Sequence, residues 1–249
     1  MMQVFNEIRW CSCGRTHVGM TRKINQDAFV NLHDKCLWAV ADGMGGHLDG
    51  GIASAEVVNS LKLFEPEKTI GLTVKKIYQQ LNEVNDALIE QAAVYGNNQV
   101  IGSTVAILYA KQQYCVVMWS GDSRIYLFRR EVLKQLTRDH NNESKLLAEG
   151  LSPDKIKFHP YAQTLTHAIG GEQEVYLDAQ IQETRHDDVF LLCSDGLNKE
   201  VSDSEIEEVL RQLPYQEAMH HLMELALQRG ARDNITIVLV KVSRAKNGK

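Results

Sequence analysis

The chain has 249 residues, of which 44% are apolar and 24% charged, a composition typical of globular proteins and not of disordered chains. A net charge of −5 and a pI near 6.0 give no electrostatic reason to expect nucleic acid or an anionic membrane surface as a partner. No apolar run approaches the roughly 20 residues that span a bilayer, and residues 1–9 lack an apolar signal core. We therefore expect a cytoplasmic protein.

Short runs of β-branched, aromatic and aliphatic residues predict strands at Leu37–Ala41, Thr104–Ala110, Tyr114–Trp119, Val189–Ser194 and Ile235–Val242. Several of these runs show little alternation between apolar and polar residues, which predicts strands covered on both faces. The three-residue connection 111–113 predicts a hairpin between the second and third strands. Residues 121–130 are expected to extend this hairpin into an antiparallel meander.

Apolar residues recur at helical spacing in Ile52–Phe64, Leu72–Tyr95, Ser144–Glu149, Asp203–Gln212 and Tyr215–Arg229. Ser202 with Glu205 predicts a capping box, and Gly230 is typical of a left-handed helix end. Because no repeat or linker divides the chain, we expect a single domain over residues 1–249. Its core is predicted at about residues 16–242, with a flexible basic tail at 243–249.

Aspartates recur where apolar strands begin or end, at Asp42, Asp122, Asp195 and Asp233. Glycine follows both Asp42 and Asp195, and Asp-Gly alone is common turn chemistry. Repetition of the same arrangement in distant parts of the chain instead favours a site of gathered carboxylates, and oxygen ligands suit hard divalent cations. Arg22 lies in a polar stretch, and its planar guanidinium matches the geometry of phosphate oxygens.

The chain also carries short motifs in a fixed order, at Gly19, Arg22, Asn25–Asp27, Asp42–Gly46, Gly102–Thr104, Gly121–Arg124, Leu136–His140, Leu165–Gly170, Ser194–Leu197 and Asp233–Thr236. Together they resemble the metal-dependent protein phosphatase family of the 2C type, in its compact bacterial form. The resemblance extends from about Thr16 to Val242. It implies an α+β fold, a four-layer αββα sandwich in which two packed antiparallel β-sheets are flanked by helices.

The resemblance further implies a phosphatase that hydrolyses phosphoserine and phosphothreonine with two or three Mn²⁺ or Mg²⁺ ions. Its expected partners are phosphorylated proteins and a cognate serine/threonine kinase, and a monomer is expected. Two neighbouring divalent ions lower the pKa of a shared water, and the resulting hydroxide attacks phosphorus in line. No covalent enzyme intermediate is required.

The ligand set that the resemblance implies is Asp42 bridging two ions, the Gly43 carbonyl on one, Asp195 and Asp233 on the other, and Asp122 on a third, weaker ion. Asp42, Asp195 and Asp233 are thereby the expected catalytic residues. Arg22 is expected to hold the substrate phosphate. Supporting contacts are expected from Gln26, Asp27 and Asn234.

Two positions depart from the family pattern. Gln26 stands where some relatives have glutamate, and the lost negative charge predicts weaker metal binding. Met44 stands where many eukaryotic members have a histidine proposed as general acid, and methionine cannot donate a proton. A metal-coordinated water is then the first candidate donor, followed by His47, His140 or His159.

His167 stands where relatives often have arginine, and we assign it no role.

The polar segment 143–161 corresponds to a flap that varies among bacterial relatives and is expected to shape substrate access. Two further functions stay open at this point. One is a phosphate-binding pseudophosphatase with little turnover, motivated by Gln26 and Met44. The other is a hydrolase of another phosphate ester, although no Walker or dinucleotide-binding motif supports nucleotide binding.

Overall fold

Two antiparallel sheets form the centre of the structure, a computed structural model that describes residues 8–45, 49–95, 100–156, 159 and 161–244. The strands are β1 Ile8–His17, β2 Asp27–Leu32, β3 Leu37–Met44, β4 Gly102–Ser103, β5 Val105–Lys111, β6 Tyr114–Ser120, β7 Arg124–Arg129, β8 Val132–Gln135, β9 Asp178–Glu183, β10 Val189–Cys193 and β11 Ile235–Arg244. The first sheet has the order β1-β11-β10-β7-β8. The second has the order β2-β3-β5-β6-β9, and β4 pairs with β3.

Helices cover the outer faces of both sheets. The helices of the described ranges are α1 Asp49–Lys62, α2 Ile70–Tyr95, α3 Glu143–Ala148, α4 Pro153–Ile156, α5 Asp195–Asn198, α6 Asp203–Gln212 and α7 Tyr215–Gln228. Helices α3 and α4 pack on each other in a separate small apolar cluster. Helices α1 and α2 pack on the second sheet, whereas α5, α6 and α7 pack on the first. The predicted αββα arrangement of layers is confirmed. None of the helices in the described ranges combines the length and apolar character required to cross a lipid bilayer.

Three apolar layers hold the four structural layers together. One lies between α1, α2 and the second sheet, and another between α5–α7 and the first sheet. The third lies between the sheets, and Trp38, Leu108, Val117, Phe190 and Val240 are among its buried members. Strands β5, β6 and β10 therefore bury both faces, which explains why their sequences do not alternate.

Part of the predicted topology is wrong. Strands β5 and β6 form the predicted hairpin, with Ala110 opposite Cys115. Strand β7, however, does not extend the hairpin, because it crosses to the first sheet and pairs with β8 and β10. The turn at Gly121, whose φ is +104°, redirects the chain between the sheets. Asp122 therefore lies in a connection between sheets and not in a hairpin turn.

Local end signals are confirmed. The Ser202 backbone N–H donates to the Glu205 carboxylate at 3.0 Å, which forms the predicted capping box of α6. Gly230 has a φ of +104° just after α7. At the end of the chain, β11 continues to Arg244, two residues beyond the predicted core. The rest of the predicted tail, 245–249, lies outside the described residues.

The strand directions bring distant aspartates to one end of the sandwich. In the first sheet, β10 runs antiparallel to both neighbours, and Cys193 pairs with Arg124 and Ile237. Residues just after β10 therefore lie beside residues just before β7 and β11. In the second sheet, Asp27 at the start of β2 pairs with Asp42 near the end of β3. Pairing thus gathers the predicted carboxylates into one group in each sheet, and the packing of the two sheets brings the two groups together.

Candidate active site

Asp42 lies at the floor of the site, where β3 approaches the start of α1. Its backbone N–H donates to Thr104 Oγ1 at 3.1 Å, and its carbonyl accepts from the Thr104 N–H at 2.8 Å. A Cβ on the next residue, Gly43, would lie 1.8 Å from the Gly50 carbonyl oxygen. Only glycine therefore permits this approach of strand to helix.

Asp27 connects the two sheets at the same place. Its Oδ2 accepts hydrogen bonds from Ser194 Oγ and Thr236 Oγ1, both at 2.7 Å. Ser194 immediately precedes Asp195, and Thr236 is the second residue of β11, so one buried carboxylate of the second sheet fixes two elements of the first. The other oxygen of Asp27 is buried without a hydrogen-bond partner among the described residues.

Asp195 and Asp233 face cationic side chains. Lys199, one helical turn after Asp195, forms an ion pair with Asp195 Oδ2, and its Nζ lies 3.8 Å from Asp233 Oδ2. Arg22 contacts Asp233 through Nε at 2.9 Å and through a terminal nitrogen at 3.0 Å. Asp195 Oδ1 is buried, and no described residue offers it a hydrogen bond.

Asp122 is almost completely buried at the start of β7, on the connection that switches between the sheets. The connection is anchored by its neighbours: Ser123 Oγ lies 2.7 Å from Thr104 Oγ1, and Arg124 forms a fork with Asp139. The structure therefore brings Asp27, Asp42, Asp122, Asp195 and Asp233 together.

Burial and mutual repulsion make Asp27, Asp42 and Asp122 difficult to ionise together. Burial raises the pKa of Asp27 to about 6, although the Ser194 and Thr236 hydroxyls partly oppose it. Burial, with the charge of Asp195, raises the pKa of Asp122 to about 7. The pKa of Asp42 is raised well above its usual range, first by burial and then by Asp27 and Asp195. Compensating positive charge would stabilise the ionised cluster.

Asn234 and Gln26 support the loop that carries Arg22. Asn234 Oδ1 accepts the Gln26 N–H at 2.8 Å, and its Nδ2 donates to the carbonyls of Val18 and Ile24 at 2.8 and 3.0 Å. Because Asn234 directly precedes β11, it ties residues 18–26 to the first sheet. The Arg22 side chain is 54% exposed and accessible from solvent.

A cleft of about 590 Å³ opens over these residues. Arg22, Gln26, Asp42, Asp122, Asp195 and Asp233 line its floor and one side. Its other side, which we call the cleft wall, is lined by residues 163–168 with Gly171 and Glu172. His167 Nδ1 lies 3.3 Å from Glu172 Oε2, and its ring stacks on Tyr176 at 4.1 Å between centroids.

The histidines considered as proton donors occupy different places. His140 lies behind the cleft wall: its Nδ1 accepts the Gly121 N–H at 3.2 Å, and its Nε2 lies 3.2 Å from Asp178 Oδ2. His159 is not among the described residues that line the cleft, whereas Met44 and His167 are. Gly46 and His47 lie outside the described residues.

The donor set of the cleft is rich in the oxygen ligands that divalent cations prefer. Five carboxyl groups share the site with two cationic side chains, and oxygens of Asp27 and Asp195 lack partners within the described part of the chain. As the side chains stand, no group of three His, Cys, Asp or Glu residues in the described ranges is positioned to hold an ion. Asp195 and Asp233 face Lys199 and Arg22 instead. The chemistry of the donors fits hard cations, and rotation of these two carboxylates is required for ligation.

Sequence reasoning missed Lys199 and the sheet-bridging role of Asp27. The spacing of four residues between Asp195 and Lys199 is the helical ion-pair spacing and could have indicated the contact. No local pattern could have placed Asp27 beside Ser194 and Thr236, because that contact depends on how the sheets pack.

Comparisons with known proteins agree with this architecture. The model of the Protein phosphatase 2C family matches residues 13–239. The chain is similar to the serine/threonine phosphatase stp of Listeria monocytogenes serotype 4b, with 33% identity over 244 residues that cover 94% of this chain and 97% of that protein.

Solved structures share the fold. PppA from Pseudomonas aeruginosa, described as a key regulatory component of T6SS, has a TM-score of 0.87 and 35% identity, over 94% of this chain and 98% of that one. The catalytic domain of the serine/threonine protein phosphatase PstP in complex with two manganese ions has a TM-score of 0.83 and 31% identity. That match covers 95% of this chain and 100% of the other.

Proposed function

The chain belongs to the protein phosphatase 2C family, and we propose that it is a metal-dependent enzyme that hydrolyses phosphoserine and phosphothreonine in proteins. The observation that carries the proposal is the meeting of four aspartates from both sheets in one cleft, with the buried Asp27 beside them and an accessible arginine above. Carboxylates alone would repel a phosphate. With divalent cations among them and Arg22 at the rim, the same cleft becomes suited to a phosphate ester.

We assign Asp42, the Gly43 carbonyl, Asp195 and Asp233 as the groups that would hold two divalent ions. Asp122 is assigned to a third ion. Bound Mn²⁺ or Mg²⁺ supplies Lewis acidity and makes water a usable nucleophile near neutral pH. The relative in complex with two manganese ions supports the number and kind of ions proposed for the two-ion site.

The protein's own residues provide positioning. Asp27 holds Ser194 and Thr236 and so fixes the ends of β10 and β11 relative to each other. Asn234 holds the loop of Arg22 on the same frame. Arg22 then offers a planar fork to two phosphate oxygens, and its charge stabilises negative charge that develops on them during transfer.

We propose that the substrates are phosphorylated proteins and that the chain opposes a cognate serine/threonine kinase. We also propose that it is a single domain that acts as a monomer in the cytoplasm. Membership of a family whose relatives are serine/threonine phosphatases supports the substrate class. The cleft wall supports it too, because residues 163–168 line the same cleft as the carboxylates and offer a surface for residues that flank a phosphorylated side chain.

The deciding experiment measures phosphate release from a phosphothreonine peptide by the full chain, with Mn²⁺, with Mg²⁺ and with chelator. We expect metal-dependent turnover that Asp42→Ala and Asp195→Ala each abolish. Asp34→Ala is the matched control, because Asp34 is an exposed aspartate outside the cleft. A folded wild-type chain without turnover in either metal would contradict the proposal, and turnover of nucleotides but not of phosphopeptides would reassign the substrate.

A further inference from the structure

Asn85 is a fully buried amide in the middle of α2, a helix whose buried face is otherwise apolar around it. Its neighbours one turn away, Leu81 and Leu88, belong to the core on the second sheet. A buried amide is costly unless its donors and acceptor are satisfied. The hydrogen-bond partners of the Asn85 side chain therefore indicate why an amide is present at this position.

All the hydrogen bonds of the Asn85 side chain go to one distant segment. Its Nδ2 donates to the Glu172 carbonyl at 3.0 Å and to the Gln173 carbonyl at 3.5 Å. Its Oδ1 accepts the Gly170 N–H at 2.8 Å. Two turns earlier on the same helix face, the Tyr78 hydroxyl donates to the Val175 carbonyl at 3.2 Å. Helix α2 thus holds the backbone of residues 170–175.

The same segment is joined to the floor of the site. Ile169 and Ser103 exchange two backbone hydrogen bonds of 2.9 Å, and Ser103 Oγ donates to the Asp42 carbonyl at 3.1 Å. Gly170 follows with a φ of +84°, and a Cβ there would lie 2.2 Å from the Ile101 carbonyl oxygen. The turn at Gly170 therefore packs directly against the backbone that leads into β4. The next two residues, Gly171 and Glu172, line the cleft.

The geometry points to Asn85 as a positioning residue that sets the cleft wall for phosphoprotein substrates, an inference that rests on the proposed function. Without the amide, the Gly170 N–H and the Glu172 carbonyl lose their buried partners, and the wall moves relative to the carboxylates. A phosphopeptide contacts the wall on both sides of its phosphorylated residue. A small aryl phosphate needs only the floor and Arg22. Loss of Asn85 therefore affects the two substrates unequally.

The test compares a phosphothreonine peptide with p-nitrophenyl phosphate as substrates of the full chain in saturating Mn²⁺. The variants are Asn85→Ala and Asn85→Ser. Asn82→Ala is the matched control, because Asn82 lies on the same helix and donates to the Tyr78 carbonyl within it. Wild-type turnover of both substrates is measured first, so that failure of the proposed function is recognised separately.

We expect Asn85→Ala to raise the KM for the phosphopeptide about tenfold, because displacement of a positioning element by about an ångström has effects of this size or larger. The kcat for the peptide and both constants for p-nitrophenyl phosphate stay within about twofold of wild type, and Asn82→Ala changes neither substrate. An equal loss for both substrates, or no loss for either, overturns the inference. If the alanine variant does not fold, Asn85→Ser decides by the same criteria, and failure of both to fold shows a purely structural role.

Discussion

At the scale of single residues, the role assigned to Arg22 can be tested directly. Substitutions separate the fork geometry of its guanidinium from its charge. Arg22→Lys keeps the charge but loses the planar pair of donors, and Arg22→Ala loses both. Charge-assisted hydrogen bonds contribute about 1.5–3 kcal/mol each. We therefore expect kcat/KM for a phosphopeptide to fall roughly ten- to hundredfold in Arg22→Ala and less in Arg22→Lys. Arg15→Lys changes an exposed arginine of β1 that contacts His220, and it is the control. If kcat/KM of Arg22→Ala equals that of wild type, Arg22 does not bind the substrate phosphate.

Lys199 competes for the carboxylates that we assign to metal. Its ammonium pairs with Asp195 and lies 3.8 Å from Asp233, so an incoming cation has to displace it and is repelled by it. We expect Lys199→Met to bind Mn²⁺ more tightly, by about 1 kcal/mol or roughly fivefold, a value kept small because the side chain is partly exposed. Isothermal titration calorimetry of Mn²⁺ measures the change directly.

The control for this prediction is Lys134→Met, which removes an exposed lysine of β8. It separates the local effect from the change in net charge, which is the same in both variants. Equal or weaker Mn²⁺ binding by Lys199→Met would show that the ammonium does not oppose the ion. The ion pair between Lys199 and Asp195 would then have a different role.

The residues of the site differ in how clearly the local sequence pattern indicates them. Asp42, Asp195 and Asp233 stand at strand ends beside glycine or asparagine, so local pattern alone indicates them, and the structure gathers them. Asp27 shows no such pattern, and its assignment depended on resemblance. Asn85 resembles any polar residue of an amphipathic helix until its partners, 85 or more residues away, are known.

At the scale of elements, the N-terminus of α6 depends on an ionised glutamate. Arg229 and then Ser202 lower the pKa of Glu205, which accepts from Arg229 at 2.9 Å and from the Ser202 N–H at 3.0 Å. A lowered folded-state pKa stabilises the protein fully above the unfolded pKa of about 4.3, and this stabilisation is lost progressively as the pH falls from there through the folded-state pKa. We expect Glu205→Gln to lower the free energy of unfolding at pH 7, with a clearly smaller difference from wild type at about pH 3.

Urea denaturation at the two pH values provides the measurement. Glu83→Gln, which changes an exposed glutamate in the interior of α2, is the control for the loss of a surface carboxylate. A difference for Glu205→Gln that stays constant between pH 7 and about pH 3 would contradict an electrostatic role of the capping box.

Sequence patterns identified the central strands and the long helices but not the edges. Strands β5, β6 and β10 are continuous apolar runs because both faces are buried, and α2 has a clear apolar stripe. Strands β1, β2 and β9 alternate or contain polar residues, and none was predicted from periodicity. The crossing of β7 to the other sheet was also missed, because a short connection after a hairpin strand favours pairing with that strand.

At the scale of the whole molecule, the site depends on contacts between the two sheets. The carboxylates come from both sheets, and Asp27 bonds across the junction to Ser194 and Thr236. Periodicity predicts strands but not which faces meet, so the sheet packing could be expected only from resemblance. The apolar layer between the sheets consequently has a functional role, because it holds the two halves of the site in register.

Because the two sheets share one apolar layer, we expect the sandwich to unfold as one unit. Phe190 is completely buried between the sheets, with its ring 6.2 Å from that of Trp10. We expect Phe190→Ala to destabilise the protein by about 3–5 kcal/mol, and Ile181→Ala, at a 68% exposed position of β9, by less than about 0.5 kcal/mol. In urea, tryptophan fluorescence and far-ultraviolet circular dichroism should follow a single coincident transition in each protein. Separate transitions would divide the chain into independently stable parts, and the site would then lie between them.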